Sequence, residues 1–243
     1  MCLVILAYRV VEGFPIVVAA NRDERYARGG DPPQVLGRDP LVWGGRDPVA
    51  GGTWLGVNAR GLLVALTGRP AGQTDPHRRS RGLLCLDALR QESAAALEAW
   101  LREELRRQPY NPFNLLYADG ASAGVAYCEG SLRAASVSPG VHVLTGGMLC
   151  DRGQPKIARG FDLLADMPRE WPGAFERLRR VCADRREGAP ESDPICMRGE
   201  RAGTVSSSIL ALGDAFPAGS FYFHAPGPPC ETEYRDYSGL FSP

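Results

Sequence analysis

Apolar residues fall in short runs near both ends of the chain, separated by turns that carry glycine and proline. Cys2 to Val11 and Ile16 to Ala20 are apolar and β-branched, and they flank Glu12-Gly13-Phe14-Pro15, which predicts a hairpin. Thr53 to Val57 and Leu62 to Thr67 predict a second hairpin around Asn58-Ala59-Arg60-Gly61, with Gly61 supplying the positive φ of the turn. Between the hairpins, Asn21 to Gly52 is rich in Gly, Pro, Arg and Asp and reads as a long loop-bearing excursion, a kind of segment that tends to be functional. A polar loop runs from Gly68 to Arg79. Ser80 then reads as the N-cap of one long helix reaching about Arg107, with Leu83, Leu84, Leu86, Leu89, Leu97, Trp100, Leu101 and Leu105 as its apolar stripe.

Four short strands follow, at Phe113 to Asp119, Gly124 to Glu129, Ser131 to Val137 and Val141 to Thr145. Helices are predicted over Gln154 to Asp166 and Pro172 to Arg186, then a polar loop over Glu187 to Gly203. The last strands are Val205 to Leu212, Ser220 to His224 and Thr232 to Tyr237. Strands in antiparallel runs with helices in two blocks predict an α+β fold with antiparallel sheets rather than a parallel βαβ sheet. No break in composition divides residues 1–243, so a single domain is expected.

Charge narrows the partners. The 28 basic and 28 acidic residues cancel, which removes the sequence-independent attraction to phosphates on which nucleic-acid binders depend. Lys156 is the one lysine among the 28 basic residues, a bias that coding composition accounts for. The seven cysteines are widely spread without a CxxC pair, which predicts neither a disulfide framework nor a zinc knuckle and fits a reducing cytoplasm. No secretory pattern opens the chain, and no apolar run is long enough to cross a bilayer.

The candidate chemistry is at the amino terminus. Cys2 directly follows Met1, and a side chain this small normally permits removal of the methionine. That leaves a thiol and an α-amine on one residue, a nucleophile carrying its own general base. The second predicted strand ends in Asn21-Arg22-Asp23-Glu24, and a hairpin turning at residues 12–15 brings these four back beside residue 2. Arg22 is expected to favour the thiolate, and Asp23 or Glu24 to hold the amine. A redox-sensing thiol at Cys2 is a further reading.

Other candidates carry less. Gly44 to Asp47 and Gly51 to Trp54 are glycine-rich but lack the helix and the GK[ST] ending of a phosphate cradle. Trp43, Trp54 and Tyr26 flank these loops and can line an apolar pocket. His77, His142 and His224 have no metal-ligand spacing, so no metal site is expected, and an axial haem ligand would have to come from these three.

Met-Cys at the start, AANRDE, GGRDPVAGGTWLGVNARGLLVALT, SRGLL, YNPFNLLYAD and PKIARG together resemble the NRDE-motif family, of the transport and Golgi organisation protein 2 type. That family is similar in pattern to the N-terminal-nucleophile hydrolases of the choloylglycine hydrolase and penicillin acylase type. Those share the initial Met-Cys, the Arg/Asn/Asp cluster, and a turn like Gly56 to Leu62. The resemblance implies a four-layer αββα sandwich and, by analogy, cleavage of a non-peptide amide bond of a small molecule, with Cys2 as nucleophile and Asn21, Arg22, Asp23 and Glu24 around it. No cofactor is implied. The alternative role associated with the family is non-catalytic binding and movement of haem or acyl-lipid species. The chain departs from the family pattern at Gly68, Gly146 and Val205, where asparagine or arginine is usual. Backbone N–H groups at Gly68, Gly146 and Gly147 are then the expected replacements as oxyanion donors, and Trp54, Thr67, Gly68 and Gly146 are the expected ligand-binding positions.

Overall fold

The computed structural model describes residues 2–70, 74–185 and 194–242. In chain order its elements begin with strands β1 (Leu3–Val11), β2 (Phe14–Arg25), β3 (Asp31–Arg38), β4 (Leu41–Arg46), β5 (Leu55–Asn58) and β6 (Leu63–Gly68). Helices α1 (Arg81–Ala88) and α2 (Ala94–Arg107) follow, then β7 (Phe113–Ala118), β8 (Ala123–Glu129), β9 (Ser131–Ser136) and β10 (Gly140–Leu144). Helices α3 (Pro155–Leu163) and α4 (Gly173–Cys182) precede β11 (Ala202–Leu212), β12 (Phe221–Ala225) and the two-residue β13 (Arg235–Asp236). The predicted polar loop over 187–203 lies outside the described residues up to position 193, as does the last residue of the predicted 172–186 helix.

The chain folds as two compact units, one made of residues 1–29 and 139–243, the other of residues 30–138. The first holds an antiparallel sheet in the order β10-β1-β2-β11-β12-β13. Its period-2 pattern puts Leu3, Ile5, Ala7, Val17, Ala19, Ile209 and Ala211 on one face, where they pack against Ile157 of α3 and Ala174, Leu178 and Val181 of α4. The second unit is a seven-stranded antiparallel meander, β3 through β9 in sequence order. Leu62, Val64, Phe113, Leu115 and Ala126 there pack against Leu84 and Ala88 of α1 and Leu97 and Leu101 of α2. Each unit therefore supplies one antiparallel sheet and one helical layer, the layers that the αββα expectation names.

Three predicted elements differ. The excursion over 21–52 is largely strand, because its backbone finds ladder partners far away in sequence. β2 runs on to Arg25 by pairing with β11, and β4 pairs with β5. Pro32 and Pro33 are tolerated in β3 because it is the edge strand, where a missing N–H costs no ladder bond. The single long helix is two helices. Asn58 Nδ2 donates to the carbonyls of Leu89 and Gln91 at 2.9 Å each, taking up acceptors freed by the break. The Ser93 hydroxyl caps α2 by accepting from the N–H of Ala96, and the Asp119 carboxylate accepts from the N–H of Ala94 at 2.7 Å. The final strand shortens from Thr232–Tyr237 to β13.

Asn58 also accepts from the N–H groups of Arg60 and Leu62, so all four bonds of this fully buried amide lie within one turn and one helix break. Asn58→Ala orphans two carbonyls and two N–H groups. It is expected to lower stability by about 2–4 kcal/mol, read as a shifted urea midpoint at constant slope. The GGTW and SRG motifs likewise have a structural meaning. Any side chain at Gly52 would overlap the backbone of Gly82, where Thr53 donates its N–H to the Gly82 carbonyl at 3.0 Å.

Candidate active site

β1 starts at Leu3, which pairs with Asn21, so the Asn21 to Arg25 end of β2 runs past the start of β1 and leaves Cys2 beside it. The Cys2 thiol sits against the backbone of Asp23. The Asp23 N–H donates to Sγ at 3.4 Å, and the thiol faces the Asp23 carbonyl at 3.6 Å. On the far side of β2, Thr204 of β11 pairs with Asp23 and Ser206 with Arg22, leaving Val205 as a bulge.

Alternation along β2 separates the four residues. Asn21 and Asp23 have the parity of Val17 and Ala19 and face the helical layer. Asn21 Nδ2 donates to the carbonyl of Cys182, at the end of α4, and to that of Ile195, while its buried Oδ1 accepts nothing. The Asp23 carboxylate is held on both oxygens: Lys156 Nζ donates to Oδ2 at 2.7 Å, and the Thr204 hydroxyl to Oδ1 at 2.7 Å. The Lys156 and Asp23 side chains are 7% and 5% exposed, which makes this a buried ion pair. Thr204 is itself anchored, because its Oγ1 accepts from the Met197 N–H at 2.9 Å.

Glu24 and Arg22 have other partners. Glu24 does not reach the thiol. It accepts from the Arg25 N–H and forms an ion pair with Arg28 at 3.7 Å, a solvent-screened contact, so Asp23 alone supplies the carboxylate. The Arg22 guanidinium donates to the Gly29 carbonyl and braces the turn after β2. Burial, and next the Asp23 charge, push the Cys2 thiol above its ordinary value, opposed by the Asp23 N–H and by Lys156. The side-chain cation acting on Cys2 is therefore Lys156. Sequence reasoning passed over it and Thr204, although the one lysine in an arginine-rich chain, inside PKIARG, was the available signal. Lys156 lies in the first turn of α3, the end where the helix dipole disfavours a cation, and its pairing with Asp23 offsets that cost.

The β1–β10 register ends at Val4 with Leu144, and the chain bends out of the ladder from Thr145 on, where the Cys150 N–H returns to the Val143 carbonyl at 2.8 Å. The loop after β10 is braced by the Thr145 hydroxyl, which donates to Gln154 Oε1 at 2.6 Å. Trp54, Thr67 and Gly68 belong to the other unit. There Thr67 Oγ1 accepts from Asn114 Nδ2 at 3.2 Å, Gly68 lies against the Arg81 guanidinium, and the Trp54 ring covers Gly45. Of the histidines, His224 is buried with Nδ1 on the Ser208 hydroxyl, and burial lowers it to about 4, which keeps it neutral. Two grooves are described, of about 530 and 420 Å³, and Cys2 lines neither. No described helix is long and apolar enough to cross a membrane.

Known proteins share this architecture. The chain is similar to a mutant of the conjugated bile acid hydrolase from Clostridium perfringens, with a TM-score of 0.57 and 12% identity over 98% of this chain and 96% of that one. It is similar to the penicillin V acylase from Agrobacterium tumefaciens, with a TM-score of 0.60 and 12% identity over 98% and 86% of the two chains. A Caenorhabditis elegans orthologue of N-acylethanolamine-hydrolyzing acid amidase superposes with a TM-score of 0.56 and 13% identity over 89% and 94%. These likenesses show that the chain shares the fold of those three proteins. In sequence, the chain is 32% identical over 144 residues to the transport and Golgi organization protein 2 homolog of Homo sapiens and 31% to that of Bos taurus. Each alignment covers 56% of this chain and 52% of the relative, so the match spans about half the length of those relatives. The family described as Transport and Golgi organisation 2 matches residues 1–206, and the chain belongs to that family.

Proposed function

We propose that this protein is a cysteine amidohydrolase acting on a non-peptide C–N amide of a small molecule. The observation that carries the reading is the Cys2 thiol seated on the Asp23 backbone, with the Asp23 carboxylate locked between Lys156 and Thr204. Its support from outside the chain is the fold shared with proteins named as a hydrolase, an amidase and an acylase. The reading requires removal of Met1. Cys2 Sγ then attacks the amide carbonyl while its proton passes to the freed α-amine. Collapse of the tetrahedral adduct breaks the C–N bond, the ammonium protonates the departing amine, and water hydrolyses the thioester to release the acid. Asp23 orients the amine, and the backbone N–H of Gly146 is the oxyanion donor on the β10 side.

Mass spectrometry of the intact protein tests this in two steps. The mature chain is expected to lack Met1. An electrophilic acyl probe is expected to add one acyl group to Cys2 and none to Cys2→Ala. Retention of Met1, or labelling unchanged in Cys2→Ala, overturns the reading. A shift of the Soret band on haem titration without acylation favours a carrier on the same scaffold instead.

A further inference from the structure

Cys196 and Cys230 are free thiols whose sulfurs lie 2.9 Å apart, inside van der Waals contact. Their exposure differs. Cys196 is buried, whereas Cys230 is half-buried and lines the groove of about 530 Å³ together with Phe175, Arg179, Glu231 and Tyr234. Glu231 on that wall pairs with Arg198 at 3.1 Å and Arg185 at 3.9 Å, Arg179 pairs with Glu176 at 2.9 Å, and Glu233 also lines the groove, so the charges around the approach to Cys230 balance.

The backbone around Cys196 matters for what the pair does. Ile195 presents its carbonyl to Asn21 Nδ2 at 3.2 Å, and Met197 donates its N–H to Thr204 Oγ1 at 2.9 Å. Cys196 itself donates its N–H to the Asp184 carbonyl at 2.8 Å. The buried sulfur thus sits between the two contacts that anchor Asn21 and, through Thr204, Asp23.

We propose that Cys196 and Cys230 are a redox-modification site that takes a small-molecule disulfide such as glutathione disulfide. The Cys230 thiolate attacks one sulfur of the reagent, forming a mixed disulfide and expelling one glutathione thiolate. The Cys196 thiol then attacks Cys230 Sγ, passing its proton to the glutathione thiolate already expelled, forms the intramolecular disulfide and expels the second. Two protein thiols are oxidised and one disulfide is reduced to two thiols. The product bridges residues 34 positions apart and ties the Ile195–Met197 segment to the turn after β12.

The test incubates the full chain with glutathione disulfide, quenches it with acid, and reads intact mass and cross-linked peptides. The expected product is lighter by two hydrogen atoms, carries a 196–230 cross-link, reverts with dithiothreitol, and melts several degrees higher because the loop is closed. Cys230→Ser is expected to stay unmodified there. Cys196→Ser is expected to stall as a glutathione adduct on Cys230. An unchanged mass, a lasting adduct in the unsubstituted chain, or a cross-link to a different cysteine overturns the proposal. Cys2 takes no part, so the outcome is independent of the amidohydrolase reading.

Discussion

Lys156→Met is expected to destabilise the fold by about 3–5 kcal/mol, the cost of leaving a buried carboxylate without its counter-charge. Both partners are nearly inaccessible and their charged atoms are 2.7 Å apart, so neither can turn to water without opening the contact between β2 and α3. Asp23→Asn is expected to cost a similar amount, because it strands the lysine while leaving the Thr204 hydroxyl an acceptor. The double variant Asp23→Asn/Lys156→Met is expected to recover most of the loss, since a buried pair removed together costs far less than either charge alone. Urea denaturation of the four proteins gives the coupling directly. Single variants within 1 kcal/mol of the parent would show that water reaches the pair.

The same two variants are expected to move the reactivity of Cys2 in opposite directions. Burial first, and then Asp23, hold the thiol above its ordinary value, while Lys156 pulls it down. At pH 7 an ordinary thiol is only a few per cent thiolate, and Cys2 has less. Alkylation of Cys2 by iodoacetamide, followed by peptide mapping, is therefore expected to be slower than that of a free thiol at pH 7. It should keep rising about tenfold per pH unit beyond pH 8.5, where free thiols level off. Asp23→Asn removes a raising charge and should shift the curve to lower pH, whereas Lys156→Met removes a lowering one and should shift it higher. General loosening of the site would move both the same way, and that result would sink the electrostatic account.

Local pattern made much of this readable. The hairpin of β1 and β2 follows from two apolar runs about a Gly-Pro turn, and its register places residue 2 beside the NRDE segment. The β5–β6 turn likewise rests on Gly61, whose φ is 79°. The break between α1 and α2 was not readable, because Leu83 to Leu105 keep a helical stripe across it. What stops the helix is Asn58 and Asp119, arriving from distant parts of the chain. The strands β3 and β4 were hidden by Gly, Pro and charge, which lower strand propensity but do not prevent pairing at a sheet edge.

The site divides in the same way. Asn21, Arg22, Asp23 and Glu24 are adjacent in sequence, so their nearness to Cys2 needed only a hairpin. Which of the four turns toward the helical layer depended on strand parity and on what waits there. Residues that alternate across a sheet meet different neighbours, and those neighbours lie 133 and 181 positions away, at Lys156 and Thr204. The order of amino acids alone determined the family, the α+β class and a cysteine beside NRDE, because these rest on short-range periodicity and contiguous motifs. Only the tertiary structure decided that the cation is a lysine, that Glu24 turns to Arg28, and that burial raises the thiol further. Burial and charge pairing arise between segments far apart in the chain, and no local pattern encodes them.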